Sequence, residues 1–142
     1  MSRPVFENLL MHLVNIEQDQ DNLIDEYFPE QTMERYQFKN MLDNYISKMD
    51  YLIRYNIGVG EKGDNQLPFV VINSTVDLLD MRTRKTHTYR MVTPDNNKKA
   101  HDVSIFSALG KALLLQEVGT VVTVRILGNR LRYKIRSVRF AG

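Results

Sequence analysis

The sequence contains no cysteine and no tryptophan, and only four of its 142 residues are proline. Without cysteine the chain can form no disulfide framework and can hold no zinc or iron–sulfur cluster through thiolates. Long hydrophobic runs are absent as well. Glu7 and His12 interrupt the first apolar stretch, so we expect neither a secretory signal peptide nor a membrane-spanning helix. These absences predict a protein of the reducing cytoplasm.

Basic residues are the minority in the first half of the chain, and acidic residues are the minority in the second half. Residues 1–68 carry 12 acidic and 6 basic side chains, a net charge of −6, whereas residues 69–142 carry 5 acidic and 13 basic ones, a net charge of +8. Such an asymmetry indicates a charged partner or a charged site, because fields of opposite sign orient a molecule on approach. Two solvated surfaces that differ in charge would give the same counts.

Two apolar stripes in the first 55 residues predict a pair of helices. The first stripe lies within residues 4–27 and proceeds in steps of three and four through Phe6, Leu9, Leu13, Ile16, Gln20, Leu23 and Tyr27. Pro29 ends this helix, because proline has no backbone N–H and disfavours the α region at the residue before it. Since proline is accepted in the first turn of a helix, the second helix is predicted over about 30–55. Its stripe consists of Phe38, Leu42, Tyr45, Met49 and Leu52.

The two predicted helices are nearly equal in length and are joined by a short break, which favours an antiparallel hairpin over residues 1–55. Residues 56–68 follow as a polar linker. It contains Gly58-Val59-Gly60-Glu61-Lys62-Gly63, but a dinucleotide-binding loop would need a strand before these glycines and a helix after them. We therefore interpret this segment as a hinge.

From residue 69 the pattern changes to that of strands with one short helix, which predicts a small α+β domain over 69–142. Residues 69–72 and 75–79 are predicted as a strand pair or a bent strand, 86–92 as a half-buried strand, and 93–97 as a turn. A short strand is predicted over 103–106, and Ser107 would cap a helix over 108–116. A closing hairpin of 121–126 and 131–140 would turn at Gly128-Asn129.

Several short motifs in residues 69–140 occur in the order found in a known family. They are Asn73-Ser74-Thr75-Val76, Tyr89-Arg90-Met91-Val92, Ser107-Ala108-Leu109-Gly110-Lys111-Ala112-Leu113-Leu114, Val118-Gly119 and Tyr133-Lys134-Ile135. The later four resemble the patterns Y-R-I-V, S-P-L-G-x-A-L-L, V-G-D and Y-x-I of the Gre transcription elongation factors, GreA and GreB, and the first resembles the opening strand of their C-terminal domain.

The resemblance implies a long antiparallel coiled-coil hairpin followed by an FKBP-like α+β domain. It also implies a bacterial, monomeric factor that binds RNA polymerase, meets nascent RNA only indirectly, and is not an enzyme alone. Two departures from the family pattern are the missing lead-in segment before the first helix and the unreproduced tip motif D-L-K-E-N-A-E-Y.

In Gre factors, carboxylates at the hairpin tip help to hold a magnesium ion while the polymerase cleaves backtracked RNA. The resemblance implies this role first for Asp25 and Glu26, as catalytic and metal residues, and then for the metal residue Asp21. Asp21 and Asp25 lie one helical turn apart and would share a face. The Mg2+ would be shared with the polymerase rather than held stably by this chain. Acidic residues on a solvated helical face would show the same pattern.

The resemblance also implies that the segment Ser107, Ala108, Leu109, Gly110 and Lys111 faces the polymerase. Ala108 stands where the family usually has proline. Separately, alternation places four cations on one face of the last strand, which suits an acidic protein surface, a phosphate backbone or plain solvent. These are Arg130, Arg132, Lys134 and Arg136.

Four functions remain open on the sequence. The first is stimulation of RNA cleavage through the secondary channel of RNA polymerase, and the second is a non-cleaving regulator in that channel, similar to the Rnk-type relatives. A peptidyl-prolyl isomerase would need an aromatic-lined apolar pocket, which fold similarity does not supply. Direct binding of RNA by the basic half would show a steep salt dependence.

Overall fold

The computed structural model describes residues 3–55, 65–96 and 98–140. The elements along the chain are α1 (Arg3–Tyr27), α2 (Met33–Tyr55), β1 (Ser74–Asp80), β2 (Thr86–Val92), a 3-10 turn (Pro94–Asn96), β3 (Asp102–Ser104), α3 (Ala108–Leu113), β4 (Val121–Ile126) and β5 (Asn129–Phe140). They form two compact units, Met1–Asp64 and Asn65–Gly142. The predicted α+β fold is confirmed, while the glycines of the predicted hinge lie outside the described residues.

Helices α1 and α2 form the predicted antiparallel hairpin. Side-chain contacts join His12 to Tyr45, Gln20 to Asp43 and Asp25 to Arg35, so the positions on α2 fall as those on α1 rise. Neither described helix is long and apolar enough to cross a membrane. The buried side chains of the two helices form the seam of the hairpin. They are Leu9, Leu13, Ile16, Ile24, Phe38, Leu42, Tyr45, Met49, Leu52 and Ile53.

Toward the end of α1 the seam departs from the predicted stripe. Ile24 is buried, whereas Leu23 and Tyr27 are only half-buried. A straight helix has about 3.6 residues per turn, so its inner face drifts from a strict repeat of 3.5 over several turns. The inner position therefore passes from Leu23 to Ile24.

The predicted start of the second helix near residue 30 is wrong. Helix α2 begins at Met33, and Pro29 lies in the connection before it. Thr32 caps the helix, because its Oγ1 accepts a hydrogen bond from the backbone N–H of Arg35 at 3.3 Å. A threonine hydroxyl satisfies one of the free N–H groups of a first turn, which proline before the helix cannot do.

The second unit contains one five-stranded sheet in the order β3-β2-β1-β5-β4. Its pairs are antiparallel except β2 with β3, which is parallel. The register between β1 and β5 shifts between Asp77 and Leu78, opposite Ser137 and Ile135, so Arg136 occupies a bulge. The buried face of the sheet includes Val76, Leu78, Met91, Val122, Val124, Tyr133, Ile135 and Val138.

Residues 65–72 differ from the prediction of a linker end and a first strand. Leu67 donates its backbone N–H to Val138, while Val70 donates to Gln116 and accepts from Leu115. Residues 69–72 are buried but form no strand of the sheet, because their backbone groups bond to these scattered partners instead of to one ladder. A short apolar run does not distinguish a strand from a buried loop.

Three boundaries further along the chain also need correction. Strand β3 ends at Ser104 rather than 106, and α3 ends at Leu113 rather than 116, because Leu115 adopts a left-handed φ of 66°. The closing hairpin turns at Leu127-Gly128, with φ values of 51° and 80°, since Ile126 pairs directly with Asn129. Two positive φ values are typical of a type I′ turn, in which leucine is uncommon.

Candidate functional site

The tip of the hairpin is held together by contacts between the end of α1 and the start of α2. Oδ1 of Asp25 lies 2.9 Å from Nη1 of Arg35, and the same guanidinium nitrogen donates a hydrogen bond to the carbonyl oxygen of Phe28 at 2.8 Å. The rings of Tyr27 and Phe28 pack on Phe38, with centroid distances of 6.0 and 5.3 Å. These contacts order the tip from both sides of the connection.

All three predicted metal residues are exposed near this tip, but only Asp25 has an ion pair with Arg35. Carboxylate oxygens are the ligands that magnesium prefers, so the donor chemistry of Asp21, Asp25 and Glu26 fits that ion. Within residues 3–55, 65–96 and 98–140 no group of three or more acidic, histidine or cysteine side chains is arranged to hold a metal. A magnesium site at the tip would therefore need ligands from another molecule, and Asp25 would exchange Arg35 for the ion.

The predicted docking segment is built around the start of α3. Ser107 is the N-cap: its hydroxyl accepts from the N–H of Gly110 at 3.0 Å and donates to the carbonyl of Ser104 at 2.7 Å. A Cβ atom at Gly110 would lie 1.9 Å from the carbonyl oxygen of Ser104, so only glycine fits there. The serine and the glycine of the motif thus close the turn between β3 and α3.

Exposure divides the docking segment into supporting and available side chains. Ala108 and Lys111 are exposed, Ser107 and Leu109 are half-buried, and Gly110 is buried. Leu109 and its exposed neighbours can therefore contact a partner, whereas Ser107 and Gly110 shape the backbone that presents them.

A charge pair that the sequence patterns did not indicate holds β3 beside β2. Arg90 lies 3.2 Å from the carboxylate of Asp102, which also accepts the backbone N–H groups of Lys98 and Lys99. Desolvation by burial would raise the pKa of Asp102, but these hydrogen bonds and the charge of Arg90 outweigh it and lower the pKa. No spacing along the chain identifies this pair, since parallel strands bring the two residues together. The carboxylate anchors the strand that leads into Ser104.

The last strand places its four predicted cations, Arg130, Arg132, Lys134 and Arg136, as exposed side chains, which confirms the alternation. A fifth cation, Arg125, lies on β4 directly across from Arg130. The sequence pattern missed Arg125 as a member of this group because pairing across the hairpin depends on where the turn falls.

A groove of about 700 Å³ beside β2 bears on the isomerase alternative. It is lined by Thr75, Thr86, His87, Thr88, Tyr89, Arg90, Ala100 and His101. Tyr89 is the only tyrosine, phenylalanine or tryptophan in that lining, and most of the other residues are polar. This groove is not the aromatic-lined apolar pocket that binding of a prolyl peptide requires.

The similarity of this chain to known proteins lies mainly in the second unit. The family model described as "Transcription elongation factor, GreA/GreB, C-term" matches residues 65–140. The transcription elongation factor GreA of Thioalkalivibrio sulfidiphilus (strain HL-EbGR7) is 39% identical over 72 residues, which are 50% of this chain and 46% of that protein. GreA of Desulfovibrio desulfuricans (strain ATCC 27774 / DSM 6949 / MB) is 36% identical over 74 residues, 51% of this chain and 46% of that protein.

The matches thus span about half the length of these relatives. A solved structure titled as the prokaryotic transcription elongation factor GreA/GreB from Nitrosomonas europaea aligns with 99% of this chain and 98% of its own, at 21% identity and a TM-score of 0.47. An alignment of that quality supports no conclusion about activity. The family model covers more than half of the chain, in the region where the sequence motifs, the Ser107 cap and the Gly110 contact are found. The chain belongs to the GreA/GreB family of transcription elongation factors.

Proposed function

We propose that this protein binds bacterial RNA polymerase, inserts its helical hairpin into the secondary channel, and stimulates cleavage of backtracked RNA. The observation that carries the proposal is a GreA/GreB C-terminal domain directly preceded in the chain by an antiparallel hairpin with an acidic end. The protein would act in the cytoplasm as a monomer and as an accessory factor, because the polymerase supplies the catalytic centre.

The chemistry assigned to the hairpin is the presentation of carboxylates. In-line hydrolysis of a phosphodiester uses metal ions that stabilise both the attacking and the leaving oxygen. Asp25 and Glu26 would contribute oxygen atoms from an arm whose tip is ordered by the Arg35 contacts, with Asp21 one turn behind. Arg35 would hold the carboxylate of Asp25 in place in the free protein and release it when the ion binds.

The test uses purified protein added to stalled, backtracked elongation complexes over a series of magnesium concentrations. We expect RNA cleavage with the wild-type chain, and its collapse in Asp25→Asn/Glu26→Gln while polymerase binding persists. Glu17→Gln/Asp19→Asn is the matched control, since it removes the same charge from exposed positions further back on α1. Higher magnesium should partly restore cleavage by the first variant through mass action. Equal cleavage by both variants would exclude Asp25 and Glu26 from the metal site.

The ion pair of Asp25 with Arg35 favours a second candidate, a regulator that occupies the channel without cleavage. A carboxylate already paired with a guanidinium offers less charge to a metal. Wild-type protein that binds and slows the polymerase, but gives no cleavage at any magnesium concentration, would establish this alternative. Arg35→Gln separates the two further: if Asp25 works through the metal, freeing it should lower the magnesium concentration needed for cleavage.

Docking is assigned to the exposed part of the segment at the start of α3. We expect Leu109→Arg to weaken polymerase binding at least about tenfold, because a partly buried apolar contact is replaced by a charge. Leu127→Arg is the control, since Leu127 is 97% exposed in the turn between β4 and β5 of the same unit. Unchanged binding of a folded Leu109→Arg protein would remove this segment from the interface.

A further inference from the structure

Five exposed cations on the β4–β5 hairpin have no acidic partner among the described residues. These residues, which together form the cationic face, are Arg125, Arg130, Arg132, Lys134 and Arg136. Four other arginines are paired: Arg35 with Asp25, Arg54 with Asp50, Arg90 with Asp102 and Arg139 with Asp77. Among the described residues, the five cations of this face have no such ion pair and lie together on two neighbouring strands.

The register of the hairpin increases the repulsion within this face. Arg125 lies directly opposite Arg130, and like charges in that relation destabilise a sheet. Residues 118–142 contain no aspartate or glutamate. On the neighbouring strand, the carboxylate of Asp77 is already bonded to Ser137 and Thr88, both at 2.6 Å, and to Arg139. Among the described residues, no carboxylate forms an ion pair with any of the five cations.

The turn between β1 and β2 adds charge at the same end of the sheet. It carries Arg82, Arg84 and Lys85, and the backbone N–H of Met81 donates to the carbonyl of Arg132 at 3.0 Å, which places this turn beside β5. Asp80, the acid of this turn, uses its carboxylate to accept the backbone N–H groups of Arg82 and Thr83. The three cations of the turn outnumber its one carboxylate, so the turn adds net positive charge at this end of the sheet.

We infer that the cationic face binds the phosphate backbone of a single-stranded nucleic acid. Alternate residues of an extended strand lie about 7 Å apart, so Arg130, Arg132 and Lys134, which precede the bulge of β5, form a line that an extended polyanion can follow. Four of the five are arginines, whose planar guanidinium groups match phosphate oxygens in pairs. This site differs from the hairpin tip and from α3, and it does not depend on the proposed function.

An acidic protein surface fits the cationic face less well. Stable protein interfaces have an apolar core with aromatic anchors and little charge at the centre. Here the exposed residues of β4 between the cations are Thr123 and Val121, with no aromatic side chain among them. The same lack of aromatic side chains removes the stacking platforms that read bases, so the binding should be independent of sequence.

The experiment measures fluorescence anisotropy of labelled U20 and dT20 oligonucleotides with the full chain across a sodium chloride series. We expect both to bind within a few-fold of each other, because the ligand is the phosphate backbone. The slope of log K against log salt should be about −3 to −4, since each phosphate neutralised on a single strand contributes about −0.7.

Arg130→Gln/Arg132→Gln/Lys134→Gln should weaken binding at least about tenfold and make the slope less steep by about 2, because three phosphate contacts are lost. The matched control, Lys39→Gln/Lys98→Gln/Lys99→Gln, removes the same charge from exposed positions elsewhere and should stay within about twofold of wild type. Circular dichroism of both variants checks that they fold. Equal losses in the two variants, or full binding by the first, would overturn the inference. Displacement of U20 by poly-glutamate more readily than by unlabelled U20 would overturn it as well, in favour of an acidic polypeptide.

Discussion

In the hairpin, two helices meet along one seam of side chains, whereas the C-terminal unit combines strands that are adjacent in the sequence, such as β4 and β5, with strands that are distant in it, such as β1 and β5. The hairpin core repeats one kind of contact from Leu9 to Ile53. The C-terminal unit instead depends on single contacts, such as the approach of Gly110 to Ser104 and the pairing of Arg90 with Asp102. The difference implies that the hairpin tolerates most changes outside its seam, while the C-terminal unit is sensitive at a few isolated positions.

The two units also differ in the sign of their charge and in whether that charge is neutralised by ion pairs within the unit. The hairpin carries exposed carboxylates near its tip, and the sheet carries exposed arginines on β4 and β5. At the hairpin tip an internal cation, Arg35, pairs with Asp25, whereas the cationic face forms no ion pair with an acid among the described residues. Charge that is neutralised internally orders a structure, and charge that is left open is available for a partner.

Among these predictions, the largest loss of stability is expected from a charge placed in the hairpin seam. Leu13 is buried, so Leu13→Asp should cost about 4 kcal/mol or more and unfold the hairpin, because the new carboxylate would lie in the core without a partner. Far-ultraviolet circular dichroism should report the lost helix, and amide NMR spectra should retain the dispersed signals of the C-terminal unit. Val14→Asp, at the exposed neighbouring position, is the control and should fold. Loss of both units together would contradict their independence.

The corresponding change in the C-terminal unit is Gly110→Ala. Its methyl group would meet the carbonyl of Ser104, so we expect a loss of about 3 kcal/mol in that unit, at the upper end for overpacking. Gly119→Ala is the control, because a Cβ there has no neighbour within 4 Å and the residue is strained only by its φ of +95°, at a cost of about 1–2 kcal/mol. Urea unfolding followed by amide NMR resolves the two units. A hairpin destabilised equally by Gly110→Ala would show that the units are coupled.

Acid should destabilise the hairpin, but not the C-terminal unit, through protonation of His12. Its Nε2 lies 2.8 Å from the hydroxyl of Tyr45 inside the hairpin, and burial lowers the pKa of His12 from 6.5 to about 4. The fold therefore favours neutral His12: its stabilising effect is complete above pH 6.5, declines as the pH falls below that value, and is lost by about pH 4. The expected loss at pH 4 is about 3 kcal/mol relative to His12→Gln, which cannot be protonated in this range.

Thermal unfolding of the helical signal at several pH values measures this difference. His12→Gln serves as the control, because the acidic side chains of the protein are the same in both proteins. Parallel pH profiles for wild type and His12→Gln would show that the buried imidazole is not responsible.

The smallest effect is expected at the hairpin tip. Asp25 is 67% exposed, so Asp25→Asn should cost less than about 1 kcal/mol although it removes the partner of Arg35. Asp21→Asn, at an exposed position one turn earlier, provides the matched comparison. Urea unfolding of the hairpin should barely distinguish the two variants. A loss above about 2 kcal/mol for Asp25→Asn would mean that the ion pair is a main support of the tip.

Elements held by local periodicity could be predicted from the sequence. The stripes at Leu9, Leu13, Leu42 and Met49 predicted both helices and their pairing, because side chains three or four positions apart share a helical face. Alternation predicted β2 and the exposed cations of β5 in the same way. The roles of Asp21, Asp25 and Glu26, and of the segment 107–111, stay predictions until binding and cleavage are measured.

The motifs of residues 69–140 identified the family, but they did not explain why those residues are needed. The glycine of Ser107–Lys111 is required because it meets the carbonyl of Ser104, and no spacing in the sequence expresses that contact. The buried loop at 69–72 resembled a strand, because apolar composition reports burial and not which backbone partners are available.

The two helices, most of the strands and the opposite charges of the two units follow from residue type and local period, so they could be predicted without a structure. The pairing of Asp25 with Arg35, the place of Arg125 in the cationic face and the anchoring of β3 by Asp102 became visible only in the folded protein. These relations depend on where a turn falls and on which strands become neighbours. Such long-range geometry arises from the packing of the whole unit, and local sequence patterns do not contain it.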